Sequence, residues 1–205
     1  VMGSGNDDLT YETYARHIAF SGDWLLRELQ PGPYYFQILY PYYLRLVHLF
    51  LGEPMVGAAI LQFLSLCAAG WLAGRLVSAL GGGGAAAAGA TALAVLAGPM
   101  LPISLTFLPV GTLLLVGTVW ACARADRPRD AAIAGALAAL AALQRSNFVV
   151  LLPLGAAWLL SDLSRGLGTR VRLVLVFLTV GGAVVLPFSV RNAVVAGEFV
   201  VLTKG

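Results

Sequence analysis

The sequence predicts an all-α fold, a multi-pass transmembrane helical bundle, and three observations lead to it. Of the 205 residues, 59% are hydrophobic and only 11% are charged, whereas a soluble domain carries roughly 25% charged residues. Long apolar runs recur along the chain, and the charged residues collect in short segments between them. A water-soluble fold of this size could not bury so much apolar surface, so we expect lipid around about six to eight crossings.

Composition also bounds the partners of the chain. The formal net charge is +3 and no block of like charges occurs, so we expect no nucleic-acid partner. Cys67 and Cys122 both lie inside apolar runs without zinc-ligand spacing, and we interpret them as small hydrophobic residues. The chain opens on a polar segment and stops directly after an apolar one, so we expect a fragment of a longer membrane protein, inactive by itself.

The first polar segment, residues 7–35, is predicted to be an outer loop that carries a helix from Leu9 to Phe20. Apolar residues such as Tyr11 and Ile18 share one stripe at helical spacing, and Glu12 lies off that stripe. An amphipathic, aromatic-rich helix of this kind is typical of the membrane interface. We therefore expect a juxtamembrane helix directly before the first apolar run.

Seven apolar runs follow, each a predicted helix at membrane depth: 36–51, 55–80, 85–105, 106–123, 131–143, 148–160 and 173–188. The first run is rich in Tyr near its start, as in an aromatic belt, and is shorter than the roughly 20 residues of a crossing. It either spans the bilayer or is re-entrant or interfacial, and we prefer the second alternative. Gly70 and Gly74 in the second run form a small-xxx-small pattern that permits close helix packing.

The chain, residues 1–205, is expected to form a single membrane domain. Residues 7–35 are the outer loop, residues 36–191 hold the transmembrane or re-entrant helices, and residues 192–205 form an outer segment. Three groups of arginines are expected on the cytoplasmic side of the plasma or inner membrane: Arg75; Arg124, Arg127 and Arg129; and Arg165, Arg170 and Arg172. The last run then ends on the outer side. If the first run is re-entrant, the outer loop lies on that same side.

Ionisable residues at membrane depth are costly and mark functional candidates. Arg145 lies between two apolar runs and is flanked by polar residues. It is either an anion-binding residue or part of a short connecting loop at the membrane surface. His17 and His48 have no ligand-spaced partners in the sequence, and we interpret both as structural residues.

Two acids and a polar group near the last run are further candidates. Asp7 and Asp8 could act as a general base or hold a metal, but Asp also caps helices, and the residues alone favour capping. Arg191, Asn192 and Glu198 could bind a substrate or anchor the end of the last helix, and the residues alone favour anchoring.

A set of motifs along the chain resembles one family of membrane enzymes. The motifs are Asp7-Asp8-Leu9-Thr10-Tyr11, Tyr14-Ala15-Arg16-His17-Ile18-Ala19, Gly22-Asp23-Trp24, Phe36-Gln37-Ile38-Leu39-Tyr40-Pro41-Tyr42-Tyr43-Leu44, Leu143-Gln144-Arg145-Ser146, Leu186-Pro187-Phe188-Ser189-Val190-Arg191-Asn192 and Gly197-Glu198-Phe199-Val200. In this order they resemble the polyprenyl-phosphate-sugar-dependent glycosyltransferases of the GT-C architecture, relatives of the protein O-mannosyltransferases and the aminoarabinose lipid A transferases. The resemblance covers nearly the whole chain.

The resemblance implies a GT-C-like helical bundle with an outward-facing cavity and a sugar donor carried on a polyprenyl phosphate. The acceptor would be a lipid, a glycan or a protein. The acidic residue of the first outer loop acts at the catalytic centre of that family, and Asp7 matches it better than Asp8. Many members carry a second acid where this chain has Leu108-Pro109-Val110-Gly111, so neither a metal nor another cofactor is expected.

The implied reaction gives each candidate a role. Asp7 takes the proton of the acceptor, and Arg191 or Arg145 holds the leaving phosphate. Tyr11 lines the sugar or lipid path, with interfacial anchoring as its alternative. The candidate substrate-binding set is Arg191, Arg145, Tyr11, Asn192 and Glu198. Two other functions stay open, a transporter or flippase subunit and a non-catalytic membrane scaffold.

Overall fold

The computed structural model describes the backbone of residues 7–34, 37–52, 55–100 and 108–203. Side chains are described for residues 10–34, 37–52, 56–93 and 109–203. Every regular element within these ranges is helical, which confirms the predicted all-α class. The helices are α1 Asp7–Ser21, α2 Leu39–Leu51, α3 Met55–Ala79, α4 Gly84–Met100, α5 Leu108–Ala123, α6 Pro128–Gln144, a 3-10 turn Ser146–Val150, α7 Leu151–Ser161 and α8 Leu167–Ala196.

Two helices among the described residues are long and apolar enough to cross a membrane, Val56–Ala79 and Leu167–Ala196. Only 22% and 28% of their most apolar windows are buried inside the protein. The core helix of a soluble protein would be mostly buried, whereas these two expose large side chains such as Phe63, Trp71 and Leu175. By length and composition both helices are therefore candidate membrane spans.

The helices α6 and α8 pack in close contact. One face of α6 is made almost entirely of buried small residues: Ala131, Ala134, Gly135, Ala138, Ala139, Ala141 and Ala142. Phe177 of α8 is fully buried against this face. A Cβ added at Gly135 would collide with the backbone carbonyl of Phe177, and one at Gly155 would lie 2.6 Å from its ring. Small residues therefore let α6, α7 and α8 approach to backbone contact.

The bundle has two chemically different ends. At one end, Ile18, Tyr34 and Leu202 pack with Leu143 of α6 and Val185 of α8. We call this the cap end, because α1, the 22–34 loop and the 197–203 segment lie together there. At the opposite end, the 162–166 loop meets the α5–α6 connection, and we call it the arginine end.

Arg165 ties the arginine end together. Its guanidinium donates to the carbonyl of Ala125 and pairs with Asp126 at 2.7 Å. It also pairs with Asp162 at 2.8 Å. Arg165 therefore joins two of the segments that the sequence assigns to the same side, although its own charge is neutralised within the protein.

The helix α2 is shorter than the predicted 36–51 run. Its 13 residues rise about 20 Å, less than the roughly 30 Å hydrocarbon core. Tyr40, at its start, accepts a hydrogen bond from Gln62 at 2.7 Å and shares a cluster with Ala58. Because α2 contacts only the beginning of α3, it lies beside the cap end of that helix.

The helix α8 is longer than the predicted 173–188 run and corrects the boundary of the outer segment. It begins at Leu167 and continues to Ala196, so Arg191 and Asn192 lie inside the helix. Polar residues normally end an apolar span, but the donors of these two side chains are satisfied by neighbouring segments. The helix therefore extends until Gly197, whose φ of 67° ends it in a left-handed cap.

The close approach of α6 and α8 can be tested with two glycine substitutions. We expect Gly135→Ala to lower the free energy of unfolding by about 1–3 kcal/mol, because its methyl group would force the helices apart. The control is Gly182→Ala, which has open space around the added atom and should be neutral or stabilising. Unfolding midpoints in detergent compare the two variants, and equal midpoints would contradict the packing.

Candidate functional site

Arg191 is the centre of the polar structure at the cap end. It is only 3% exposed, and each of its three guanidinium nitrogens donates to a backbone carbonyl of the 22–34 loop. Its Nε lies 2.9 Å from the Leu25 carbonyl and its Nη1 lies 2.7 Å from the Gly32 carbonyl. Its Nη2 donates to Leu26 and Gln30. A cation removed from water is stable here because carbonyl oxygens surround it.

Asn192 extends the same structure to the C-terminal segment. Its side chain is fully buried, and its Oδ1 accepts the backbone N–H of Tyr34 at 3.3 Å. Its Nδ2 donates to the carbonyls of Val200 and Leu202 at 3.0 and 2.8 Å. We call Arg191 and Asn192 the Arg–Asn clamp, because the two residues join α8, the 22–34 loop and the 197–203 segment.

The clamp bears directly on the predicted phosphate-binding role of Arg191 and Asn192. Their donors face chain carbonyls, and the ring of Tyr34 lies 4.2 Å from the Arg191 guanidinium carbon. A phosphate would have to displace several of these contacts to reach the guanidinium. The geometry therefore supports anchoring for both residues, the alternative that the sequence favoured.

Arg145 is an exposed cation at the same end. It follows the last residue of α6, and its backbone N–H donates to Ala141 while its carbonyl accepts from Phe148, both at 2.8 Å. Leu143, two residues earlier, packs in the cap-end cluster with Tyr34. The two roles predicted for Arg145, anion binding and a place in a short connecting loop, are therefore compatible with each other. The residue lies in a short loop, and its side chain is exposed.

Asp7 and Asp8 begin α1, and their side chains lie outside the described residues. Tyr11, one turn later, packs near the start of α3 through Ala58, so the first turn of α1 lies at the cap end. Ile18 contacts the cluster that contains the clamp loop. Because α1 rises about 16 Å between Asp7 and Ile18, Asp7 shares an end of the bundle with Arg191 but is separated from it by most of the helix.

Tyr11 and Glu198, the remaining predicted site residues, differ in exposure. Tyr11 is 1% exposed, and its ring packs edge-on against Tyr40 with centroids 5.1 Å apart. Burial removes it from the surface of any ligand path in this arrangement and gives it a packing role. Glu198 is exposed in the C-terminal segment, where it can face a ligand.

A buried acid–base contact was missed in the sequence. One oxygen of Glu12 accepts a hydrogen bond from Nε of Arg16 at 2.8 Å, and its second oxygen lies 3.4 Å from Nε2 of His48. Both Glu12 and His48 are only 9% exposed. Helical spacing predicted that Glu12 lies off the packed face of α1. This prediction is wrong, because α2 covers that side of α1. Only the tertiary approach of α1 and α2 reveals the partner of His48.

His17 also faces acidic groups, Asp23 at 3.8 Å and Glu28 at 3.6 Å. These separations exceed hydrogen-bond distances. The Asp23 carboxylate instead organises its own loop, because it accepts the backbone N–H groups of Leu25 and Arg27 at 3.2 and 2.6 Å. Across the described part of the chain, no group of three His, Cys, Asp or Glu residues is arranged to hold a metal ion.

Aromatic residues complete the cap end. The hydroxyl of Tyr42 donates to the carbonyl of Trp24 at 2.6 Å and lies 2.9 Å from the hydroxyl of Tyr34. The Tyr42 ring stacks on Trp24. Burial raises the pKa of both Tyr34 and Tyr42 above the ordinary value of 10.0. Both phenols therefore stay protonated at pH values where an exposed tyrosine begins to ionise.

No family model matches this sequence, and neither a curated protein nor a solved structure matches it. The resemblance to the GT-C glycosyltransferases therefore stays a prediction from the ordered motifs.

The Arg–Asn clamp predicts a large effect for a conservative change. Arg191→Lys retains the charge but cannot reach several carbonyls at once, so we expect a loss of roughly 2–4 kcal/mol in the free energy of unfolding. Hydrogen exchange should increase in the 22–34 loop and in the 197–203 segment together. Arg27→Lys, at an exposed position of the same loop, is the control. Unchanged exchange in Arg191→Lys would contradict the clamp.

The raised pKa values of Tyr34 and Tyr42 predict a pH dependence of stability. Above pH 10 the unfolded chain releases phenolic protons that the folded chain retains, so the free energy of unfolding falls as pH rises. Below pH 10 the two phenols give no such slope. Tyr42→Phe should make the fall in the free energy of unfolding above pH 10 shallower. The free energy of unfolding at pH 8 is the reference, because there the variant differs only by its lost hydrogen bonds. A slope identical to that of the wild type would contradict the assignment.

Proposed function

We propose that this chain forms part of a membrane glycosyltransferase, which moves a sugar from a polyprenyl-phosphate-linked donor to a lipid, glycan or protein acceptor. One observation carries the proposal. The motifs that resemble the family are far apart in sequence, yet residues of four of them meet at the cap end: Ile18, Ile38, Leu143 and the Arg–Asn clamp. These residues belong to one packed cluster with the clamp loop, and a shared site would need this convergence of remote motifs.

The proposed membrane placement follows from the two ends of the bundle. The long helices α3 and α8 would cross the bilayer, and the shorter helices α5, α6 and α7 would pack beside them. Arginines at a cytoplasmic surface agree with the positive-inside rule, so the arginine end would face the cytoplasm. The cap end, with α1 and α2 at the interface, would then face outward as an enzyme site on the outer side of the cell membrane.

The proposed reaction uses a carboxylate and a cation at that outer end. The acceptor hydroxyl or amine attacks the anomeric carbon of the sugar, and the bond from that carbon to the phosphate oxygen breaks. Asp7, or Asp8 as the alternative, takes the proton of the acceptor. The departing polyprenyl phosphate keeps the electron pair of the broken bond, and the exposed guanidinium of Arg145 stabilises its charge.

The distribution of buried polar groups favours this function over the transporter alternative. A transporter requires polar sites near the middle of its spans, in discontinuous helices. In the described core of α5 to α8, the buried residues at mid-height are mostly Ala, Leu and Phe. The buried charged and amide groups, such as Arg191, Asn192 and Gln144, lie at the cap end. Chemistry at one membrane surface fits this distribution better than passage through the bundle.

Substitution of the acids in the full-length protein tests the reaction. Asp7→Asn should lower sugar transfer from a polyprenyl-phosphate donor by about 10²–10⁴-fold with little effect on donor binding, because only proton removal is lost. Glu28→Gln is the matched control, since Glu28 is an exposed acid on the same outer loop.

Three outcomes separate the alternatives. Loss of transfer in Asp8→Asn with normal transfer in Asp7→Asn would move the base to Asp8. Normal transfer by both variants would remove the acids from the mechanism. A folded wild-type protein that consumes no polyprenyl-phosphate sugar would overturn the proposed function itself.

A further inference from the structure

An apolar groove runs along the outside of the bundle between α5 and α7, near the arginine end. Its volume is about 460 Å³, within the range of sites that hold one small ligand. The α5 residues that line it, all in the last two turns of that helix, are Thr118, Val119 and Cys122. The hydroxyls of Thr118 and Ser161 donate to the carbonyls of Leu114 and Trp158, both at 2.7 Å. The groove therefore presents an apolar surface suited to a hydrocarbon chain.

Backbone and side-chain hydrogen bonds connect this groove to the arginine end. The carbonyl of Cys122, a lining residue, accepts the N–H of Ala125 at 3.3 Å, and the carbonyl of Ala125 accepts from Arg165. On the other side of the groove, Nη1 of Arg170 donates to the carbonyl of Leu160 at 2.8 Å, in the last turn of α7. We call this end of the groove its mouth, and arginine side chains hold both of its sides.

Cations outnumber carboxylates around the mouth. The connecting segments 124–130 and 162–172 contain six arginines and three aspartates. Arg165 pairs with two of these aspartates, and the third accepts the backbone N–H at the start of α6. Among the described residues, neither Arg124 nor Arg170 forms an ion pair with a carboxylate. The mouth therefore carries an excess of positive charge that an anionic group would neutralise.

Two of these cations retain donors for a ligand. The Arg124 guanidinium is exposed and its central carbon lies 5.0 Å from the centre of the Trp120 ring. In such a contact the ring covers a face of the guanidinium and leaves its edge N–H groups for an acceptor. The Nε of Arg170 is buried without a hydrogen-bond partner in the described part of the chain. An unsatisfied donor is costly, and a phosphate oxygen beside Arg170 would supply the acceptor.

We propose that the groove and its mouth form a binding site for one anionic phospholipid of the inner leaflet. One acyl chain lies in the groove, and the phosphate lies at Arg124 and Arg170. The second chain stays in the surrounding bilayer, because a single groove between two helices accepts one chain. A zwitterionic phospholipid binds less tightly, because its ammonium group meets the excess of arginines. This lipid site depends on the proposed membrane placement and on no step of sugar transfer.

Lipids with brominated acyl chains test the site through Trp158, which lines the groove and is 46% exposed. Bromine quenches tryptophan fluorescence only at short range, so quenching reports which lipid occupies the groove. Full-length protein is placed in phosphatidylcholine vesicles that contain a small fraction of brominated phosphatidylglycerol or, separately, brominated phosphatidylcholine. The Trp158 signal is the part of the quenching that Trp158→Phe removes. We expect phosphatidylglycerol to be preferred roughly fivefold, and less so at high salt.

Variants test the two parts of the site separately. Arg124→Gln and Arg170→Gln should each lower the preference for phosphatidylglycerol at least about twofold, without loss of quenching by phosphatidylcholine. Ala157 is an exposed lining residue, and Ala157→Phe should reduce quenching by both lipids, because it occupies the path of the chain. If Arg170→Gln does not fold, Arg124→Gln decides the charge requirement.

The matched control lies on α3, where Arg75 is exposed and its central carbon lies 5.8 Å from the centre of the Trp71 ring. This pair has the same chemistry as Arg124 with Trp120 but lies outside the groove. Arg75→Gln should leave the lipid preference at Trp158 unchanged. Quenching of Trp71, isolated with Trp71→Phe, gives the preference produced by one surface arginine, and we expect it to be weaker than the preference at Trp158.

Each result decides the proposal. It is overturned by equal quenching of Trp158 by the two lipids, by an equal preference at Trp71 and Trp158, or by a preference that persists in the folded arginine variants. Absence of any Trp158 quenching, as when a further helix or a second copy covers the groove, also overturns it. The expected preference in a protein that transfers no sugar keeps the lipid site and overturns the enzyme. Sugar transfer with equal quenching by the two lipids does the reverse.

Discussion

The contact between Arg191 and the carbonyls of the 22–34 loop is the interaction on which the cap end depends. A buried guanidinium is costly unless its donors are satisfied, and this one is satisfied mainly by backbone oxygens, with the face of Tyr34 beside it. The cation therefore fixes the loop, and the loop in turn keeps the cation buried. Asn192 adds the 197–203 segment to the same unit, so the clamp holds α8, the 22–34 loop and this segment together.

The Arg–Asn clamp determines which polar groups of the cap end remain exposed. With the clamp donors occupied, the exposed cations among the described residues of the cap end include Arg145, which lies at the junction of α6 and α7 rather than at the end of α8. The acids of α1 lie at the same end but about a helix length from the clamp. A substrate site at the cap end would therefore lie between the first turn of α1 and the Arg145 connection, with the Arg–Asn clamp as its framework and not as its ligand.

Much of the helical framework could be predicted from hydropathy and periodicity. The runs at 55–80 and 106–123 correspond closely to α3 and α5, because long apolar stretches have few alternatives to a helix in an apolar environment. The predicted helix boundaries were wrong where polar side chains form hydrogen bonds. The end of α8 was placed too early, since the partners of Arg191 lie about 160 residues away in the chain, and α6 begins earlier than expected because Pro128 and a bond from the Arg127 N–H to Asp130 start it.

The sequence by itself determined the all-α class and the apolar character of the chain, since both properties depend on composition and local spacing. Only the tertiary structure decided which polar residues are buried. Glu12 and His48 are neighbours because α1 packs on α2, and Arg191 is an anchor because the loop folds over the end of α8. Burial of a polar side chain depends on partners distant in sequence, and local patterns contain no information about those partners.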